Sequence, residues 1–212
     1  MSPGIRIPPP RRERRSHAER RTETRERVLA AVVESIDEVG FQKTTGAEIT
    51  RRAGVSWGAV QHHFRDKDGI LIAALERSFS LFADRLEGPL DPSAPLAERV
   101  DGFVARAWSH FASPEYRSTF EILRNLPGDL DDSWQRDLLR QWFRIWSEYF
   151  PESHASRERT IELLHFTFSV LTGLASTRML DTAEGHLEAS GLSLLKETLE
   201  RGFREERLPR ET

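Results

Sequence analysis

The stretch Thr45 to Phe64, TGAEITRRAGVSWGAVQHHF, decides the fold. Thr45 and Glu48 have the Thr-x-x-Glu spacing of a capping box: the hydroxyl accepts the amide three residues on and the carboxylate reaches back, so a helix starts here. Gly54 follows Arg51, Arg52 and Ala53 and stops that helix, because a residue without a Cβ adopts the left-handed conformation at little cost. After Val55 as connector, Ser56 caps a second helix, Trp57 to Phe64. Two short helices joined by a tight glycine-containing turn form a helix-turn-helix, whose second helix enters a DNA major groove.

The composition fits that reading and narrows it. The 212-residue chain is 38% hydrophobic and 31% charged, a soluble globular balance with enough apolar content for a sizeable core. It has no cysteine, which excludes disulfides, thiolate zinc sites and cysteine nucleophiles and fits a reducing cytoplasm, the expected location. No apolar run approaches the roughly 18 to 20 residues that span a bilayer, so no membrane partner is expected. A Gly-rich phosphate loop, a serine nucleophile elbow and a His-Glu-x-x-His motif are all lacking, so neither an enzyme nor a cofactor is expected. The net charge of −3 divides unevenly, with +5 over residues 1–67 and −8 over residues 68–212. The basic part holds the helix-turn-helix, and neutralising backbone phosphates supplies most non-specific nucleic-acid affinity.

Outward from the motif, residues 1–20 read as a disordered basic arm, with Pro8, Pro9 and Pro10 beside Arg11, Arg12, Arg14 and Arg15. It is either a solvated tail or a segment that follows a DNA groove. Residues 21–67 form the DNA-binding domain: a first helix from about Thr22 with Val28, Leu29, Val32, Val33, Ile36 and Val39 on one stripe, ended by Gly40, with Phe41 folding back, and then the two short helices. Asp66 caps a fourth helix reaching about Leu86, too long for the DNA module alone, so it enters a second domain, residues 68–212. Helices follow at Leu96 to Phe111, from Ser113-Pro114, from about Ser133 to Pro151, from Ser156 to Leu180, and from Leu187 to Glu206. The eighth is apolar nearly all round, and Ser169, Gly173 and Ser176 on it admit a close neighbour. With no strand signal, the fold class is all-α with about nine helices.

From about Arg25 to Leu75 the residues carry a resemblance. Val28-Leu29, Gly40-Phe41, Thr44-Thr45, Ile49, Ala53-Gly54-Val55-Ser56, Gly58, His63-Phe64, Lys67 and Leu71 resemble the N-terminal domain of the TetR family of transcriptional regulators. The resemblance implies a homodimer on a palindromic double-stranded operator, most often a repressor released by a small-molecule effector. It implies that helices one to three bind DNA and that the rest senses the ligand. The last two helices would build the dimer interface, which here would hold Phe166, Ser169, Gly173, Leu195 and Leu199. Two positions depart from the family pattern: Thr50 stands for a small alanine, and Gln61 for the commonest tyrosine, so the usual contact of that tyrosine is not carried over.

Within this frame Ser56, Trp57, Gly58, Ala59, Gln61 and His62 form the outer side of the recognition helix, while Val55, Val60 and Phe64 hold it to the core. Trp57 either packs on its own domain or lies along DNA. Gly58 permits close backbone approach, and Gln61 reads adenine if it faces a base edge. His62 and His63 point about 100° apart with no completing ligand, so no metal is expected; one serves a phosphate and the other packs. Thr45 and Lys67 are the expected phosphate clamps, with Arg51 and Arg52 next. In the second domain Trp108, Phe111, Tyr116, Phe120, Trp142, Trp146 and Phe168, with His165 as an interior polar group, point to a mostly aromatic or aliphatic effector. The alternative is a DNA-binding regulator or architectural protein with a solid C-terminal core and no effector. Helix four is the expected coupling route.

Overall fold

The computed structural model describes residues 17–87, 91–126, 133–152, 156–180 and 185–205. The basic arm before residue 17 and the breaks expected at Gly88-Pro89 and Pro127-Gly128 lie outside them, as do the side chains of Trp134 and Leu138. The described residues form nine α-helices: α1 (His17–Val39), α2 (Gly46–Ala53), α3 (Trp57–Phe64), α4 (Lys67–Leu86), α5 (Leu96–Phe111), α6 (Pro114–Asn125), α7 (Ser133–Tyr149), α8 (Arg157–Met179) and α9 (Gly185–Glu205). None of these helices is long and apolar enough to cross a membrane.

Side-chain caps mark most of the starts. Thr45, Ser56, Asp66, Ser113 and Ser156 accept the amides of Glu48, Ala59, Gly69, Tyr116 and Arg159, each three residues on. Gly54 ends α2 at φ 64°, ψ 38°, the left-handed cap its position calls for. The reciprocal half of the capping box does not form: the Glu48 carboxylate turns to Arg51 and Arg52, and the Thr45 amide donates to the Lys43 carbonyl instead. Helix α1 begins at His17, so its first turn, His17 to Arg20, occupies the end of what reads as the arm. Its core stripe is Val28, Leu29, Ala31, Val32 and Ile36, while Val39 at the last turn is exposed. Buried Ser35 lies on the inner side and bonds the Thr44 hydroxyl at 2.9 Å, which in turn donates to the Gly40 carbonyl.

Two cores result, and α4 serves both. Ile70, Leu71 and Leu75 at its start join Val28, Leu29, Val32, Ile49, Val60 and Phe64 in the N-terminal core. Phe82, Ala83 and Leu86 at its end join the larger core of α5 to α9. A second bridge comes from α6, whose Ile122 is buried in the N-terminal core. Around it Arg117 pairs with Asp37 on α1 at 2.8 Å, Ser118 donates to the Val33 carbonyl at 3.3 Å, and Thr119 bonds Ser78 on α4 at 2.6 Å. Two helices, α4 and α6, therefore connect the two cores, where the sequence suggests one.

Close approach of α8 and α9 within the subunit uses glycines of α9. A Cβ on Gly191 would fall 2.7 Å from Leu174, and one on Gly202 2.7 Å from Leu163. Gly173 on α8 instead faces open space.

Candidate functional site

The helix-turn-helix presents one polar face. Thr45, Ser56, Trp57, Gly58, Gln61 and His62 are exposed, Ala59, His63 and Lys67 are half-buried, and Val60 and Phe64 are buried beneath them. Trp57 and Gln61 are four residues apart and so share a side of α3. Gly58 meets nothing nearer than the Ser56 hydroxyl at 4.0 Å, so its backbone is open to an approaching surface. Burial pushes the His63 imidazole pKa down, with Arg21, His62 and Arg25 adding to the effect. Of the two histidines, His63 thus packs, edge to face with His62 and against Phe64, and His62 faces out. The Lys67 ammonium rests 5.2 Å over the Phe41 ring at the start of α4.

Arg52 departs from its expected role. Its side chain is only 11% exposed and is engaged by Glu38 at 2.8 Å and Glu48 at 2.5 Å, so it braces α2 against α1. Glu48 is held at a pKa of about 2 by hydrogen bonds from Arg51 and Arg52. Arg51, on the same carboxylate but exposed, is the arginine of this pair that reaches solvent.

The aromatic residues of the second domain fall into two layers. In the first, Phe82 stacks on Trp142 at 4.4 Å, Trp142 and Phe111 both meet Phe168 at 5.8 Å, and Phe111 meets Tyr116 at 4.3 Å with Phe120 beyond it. Phe111, Tyr116, Phe120, Trp142 and Phe168 are therefore brought together, and Phe82 at the far end of α4 joins them. Trp146 belongs elsewhere: it is fully buried among Phe103, Phe150 and Phe203 in a layer toward α9, and its indole N–H has no partner among the described residues. Trp108 lies at the margin and donates to Glu188 at 2.8 Å. His165 is exposed on the outer side of α8, not interior.

The two buried polar groups of the first layer, Tyr116 and His110, are neutral near pH 7, while the guanidiniums of Arg85, 3.4 Å from His110, and of Arg124, 5.7 Å over the Phe120 ring, adjoin it. Tyr116 pairs with the Thr172 hydroxyl at 2.8 Å, and burial raises its pKa to about 12. Burial, helped by the nearby Arg85 guanidinium, lowers His110 to about 4, while Glu115 pulls weakly the other way. Because the unfolded imidazole titrates near 6.5, the unfolded chain takes up a proton that the folded one refuses as pH falls. The stability gained from keeping His110 neutral is whole above pH 6.5 and is lost between 6.5 and about 4, about 3 kcal/mol in all. Urea unfolding across that range is expected to have a steeper pH slope for wild type than for His110→Gln; equal slopes would reject the assignment.

The outer side of α8 exposes apolar residues among polar ones. Phe166 is 41% exposed and Ile161 46%, with Ser169 and Gly173 exposed beside them and Leu194 of α9 62% exposed. Leu195 and Leu199, expected at the dimer interface, are instead buried in the core of this chain with Phe203, because i, i+4, i+8 spacing puts all three on the inner side of α9.

Comparisons with known proteins match this architecture. Residues 28–74 fit the family described as bacterial regulatory proteins, tetR family. The HTH-type transcriptional regulator BetI of Escherichia coli is 31% identical over 138 residues, covering 55% of this chain and 71% of that one. The crystal structure of the transcriptional regulator FadR from Bacillus subtilis in complex with stearoyl-CoA superposes with a TM-score of 0.64 at 20% identity, over 80% of this chain and 96% of that one. A SmeT–triclosan complex superposes with a TM-score of 0.58 at 22% identity, over 84% and 90%. At such identities the two structures are alike in fold.

Proposed function

The chain belongs to the tetR family of bacterial regulatory proteins, and on that premise we propose that this transcriptional regulator is a cytoplasmic repressor that binds a palindromic operator as a homodimer and leaves it when a small hydrophobic effector binds. The observation that carries the reading is the exposed face of Ser56, Trp57, Gly58, Gln61 and His62 on the second helix of a helix-turn-helix, with Thr45 beside it. One such helix offers few base-reading groups, so specificity needs a second half-site one helical turn away, read by a partner subunit. The exposed apolar residues of α8 support that pairing.

The buried aromatic layer supports an effector that is apolar at least in the part that enters it; two fold neighbours are complexes with stearoyl-CoA, whose acyl chain is such a part, and with triclosan. That layer touches both connecting helices: Phe82 is on α4, and Tyr116 and Phe120 on α6. A ligand that parts these rings favours one arrangement of α4 and α6, and with it one spacing of the two recognition helices. The tight ring contacts favour the other reading, a solid core without an effector, just as directly. Operator selection from random DNA, followed by a metabolite screen for release and for thermal stabilisation, separates them: no stabilising compound supports the solid core, and no selected DNA rejects both.

Two variants test the DNA face. Gln61→Ala is expected to relax preference at particular bases at a cost on the order of 1–3 kcal/mol, whereas equal weakening on every sequence would reject base reading. Lys67→Ala should weaken binding on all sequences and flatten the salt dependence by about one unit of slope; an unchanged slope would count against a phosphate contact.

A further inference from the structure

Trp57 is the largest side chain on the recognition helix and stays 38% exposed, yet one side of it is fixed. A Cβ on Gly46, the first residue of α2, would lie 2.8 Å from Cζ3 and 3.1 Å from Cη2 of the indole. Only glycine lets the six-membered ring rest on the first turn of α2. An indole seated on one side and in water on the other is oriented without being buried, and its outer part stands on the same side of α3 as Gln61.

We propose that Trp57 is a specificity-determining residue whose outer edge packs on thymine methyl groups in the major groove, and that Gly46 is the positioning residue that aims it. The inference rests on the operator-binding reading above. Residues at the N-terminal end of a recognition helix reach base edges, and the thymine methyl is the apolar group those edges offer. The indole is apolar over nearly all its surface, which suits it to that methyl better than to the polar edges of the other bases. An exposed aromatic left in water gains most from such a partner. Alanine suits the first turn of a helix, and the three atoms nearest its Cβ at 46 all belong to the far end of the Trp57 side chain. Gly46→Ala therefore keeps the fold while swinging the indole away.

The test uses the full chain and its selected operator, with each thymine replaced in turn by deoxyuridine, which removes the methyl and keeps every hydrogen-bonding group. Wild type is expected to lose affinity about fourfold at one or two thymines in each half-site, the equivalent of one buried methyl. Trp57→Ala and Gly46→Ala should lose that response, with Gly46→Ala unfolding at nearly the wild-type temperature. Trp57→Phe, which keeps a smaller apolar ring, should retain part of it. Wild-type binding blind to every methyl overturns the proposal, as does a Trp57→Ala profile identical to wild type; a wild-type profile in Gly46→Ala overturns the positioning role. Tight but methyl-blind binding leaves the operator reading standing, whereas failure to select any DNA removes that reading and this one together.

Discussion

Arg99→Leu is expected to destabilise the second domain by on the order of 3–5 kcal/mol, the loss typical of removing one member of a buried ion pair. Arg99 and Glu152 are 6% and 11% exposed, and the guanidinium gives Nη1 and Nη2 to the two carboxylate oxygens of Glu152 at 3.0 and 2.5 Å. Its remaining donors reach the Tyr149 carbonyl at 2.6 Å and the Ala94 carbonyl at 3.0 Å. A single side chain thus ties the start of α5 to the end of α7, and leucine in its place strips a desolvated carboxylate of its counter-charge. Taking both partners to leucine is expected to recover much of the loss, because apolar residues of similar volume replace a buried pair at little net cost. The exposed pair Arg144–Glu148, at 3.3 Å on α7, serves as the control, worth at most about 1 kcal/mol. Urea midpoints decide the matter: a shift for Arg99→Leu no larger than the control's would mean that the pair does not hold α5 to α7.

What can be read from the sequence follows the range of the interaction. The caps at Thr45, Ser56, Asp66 and Ser113 and the left-handed Gly54 are set by residues within four positions, so local spacing locates them. The face of α3 is legible for the same reason, since Val60 and Phe64 fix which side is inward. Errors arise where the deciding partner is distant. Ile122 looks like any apolar residue of α6, and only tertiary packing sends it into the other domain's core. Trp142 and Trp146 share a helix stripe, yet one turn along α7 the neighbours change from Phe82 and Phe168 to Phe150 and Phe203. On α9 the inner and outer sides are adjacent in sequence, Leu195 and Leu194, and apolarity alone does not tell which of them faces the core. Charge alone places Arg52 with the phosphate contacts, whereas the structure also sets it against Glu48 four residues back and Glu38 on α1.

The second large effect is expected at Gly69, where alanine should break the junction between the recognition helix and α4. A Cβ there would sit 1.9 Å from the Phe64 carbonyl oxygen and 3.1 Å from its carbon, both backbone atoms that cannot rotate aside. The junction has no slack: Arg65 already holds φ at 70°, the one non-glycine residue with positive φ among the described residues, and the Asp66 amide bonds that same Phe64 carbonyl at 2.9 Å. Relief requires moving the end of α3 away from α4, which also costs the 2.8 Å cap from the Gly69 amide to Asp66, about 1 kcal/mol by itself. Overpacking of this kind costs about 3 kcal/mol or more, and here it displaces the helix that carries Gln61 and His62 relative to Lys67 on α4. Gly69→Ala should therefore lower the unfolding midpoint and reduce operator affinity to that for random DNA, even where the variant remains folded. Gly58→Ala, on the open side of α3, supplies the contrast: it should gain up to about 1 kcal/mol of stability from helix propensity, so any loss of DNA binding there reports contact and not unfolding. If Gly69→Ala bound its operator as tightly as wild type, the α3–α4 junction would have to be yielding, and the recognition helix would owe its placement to the buried Val60 and Phe64 alone.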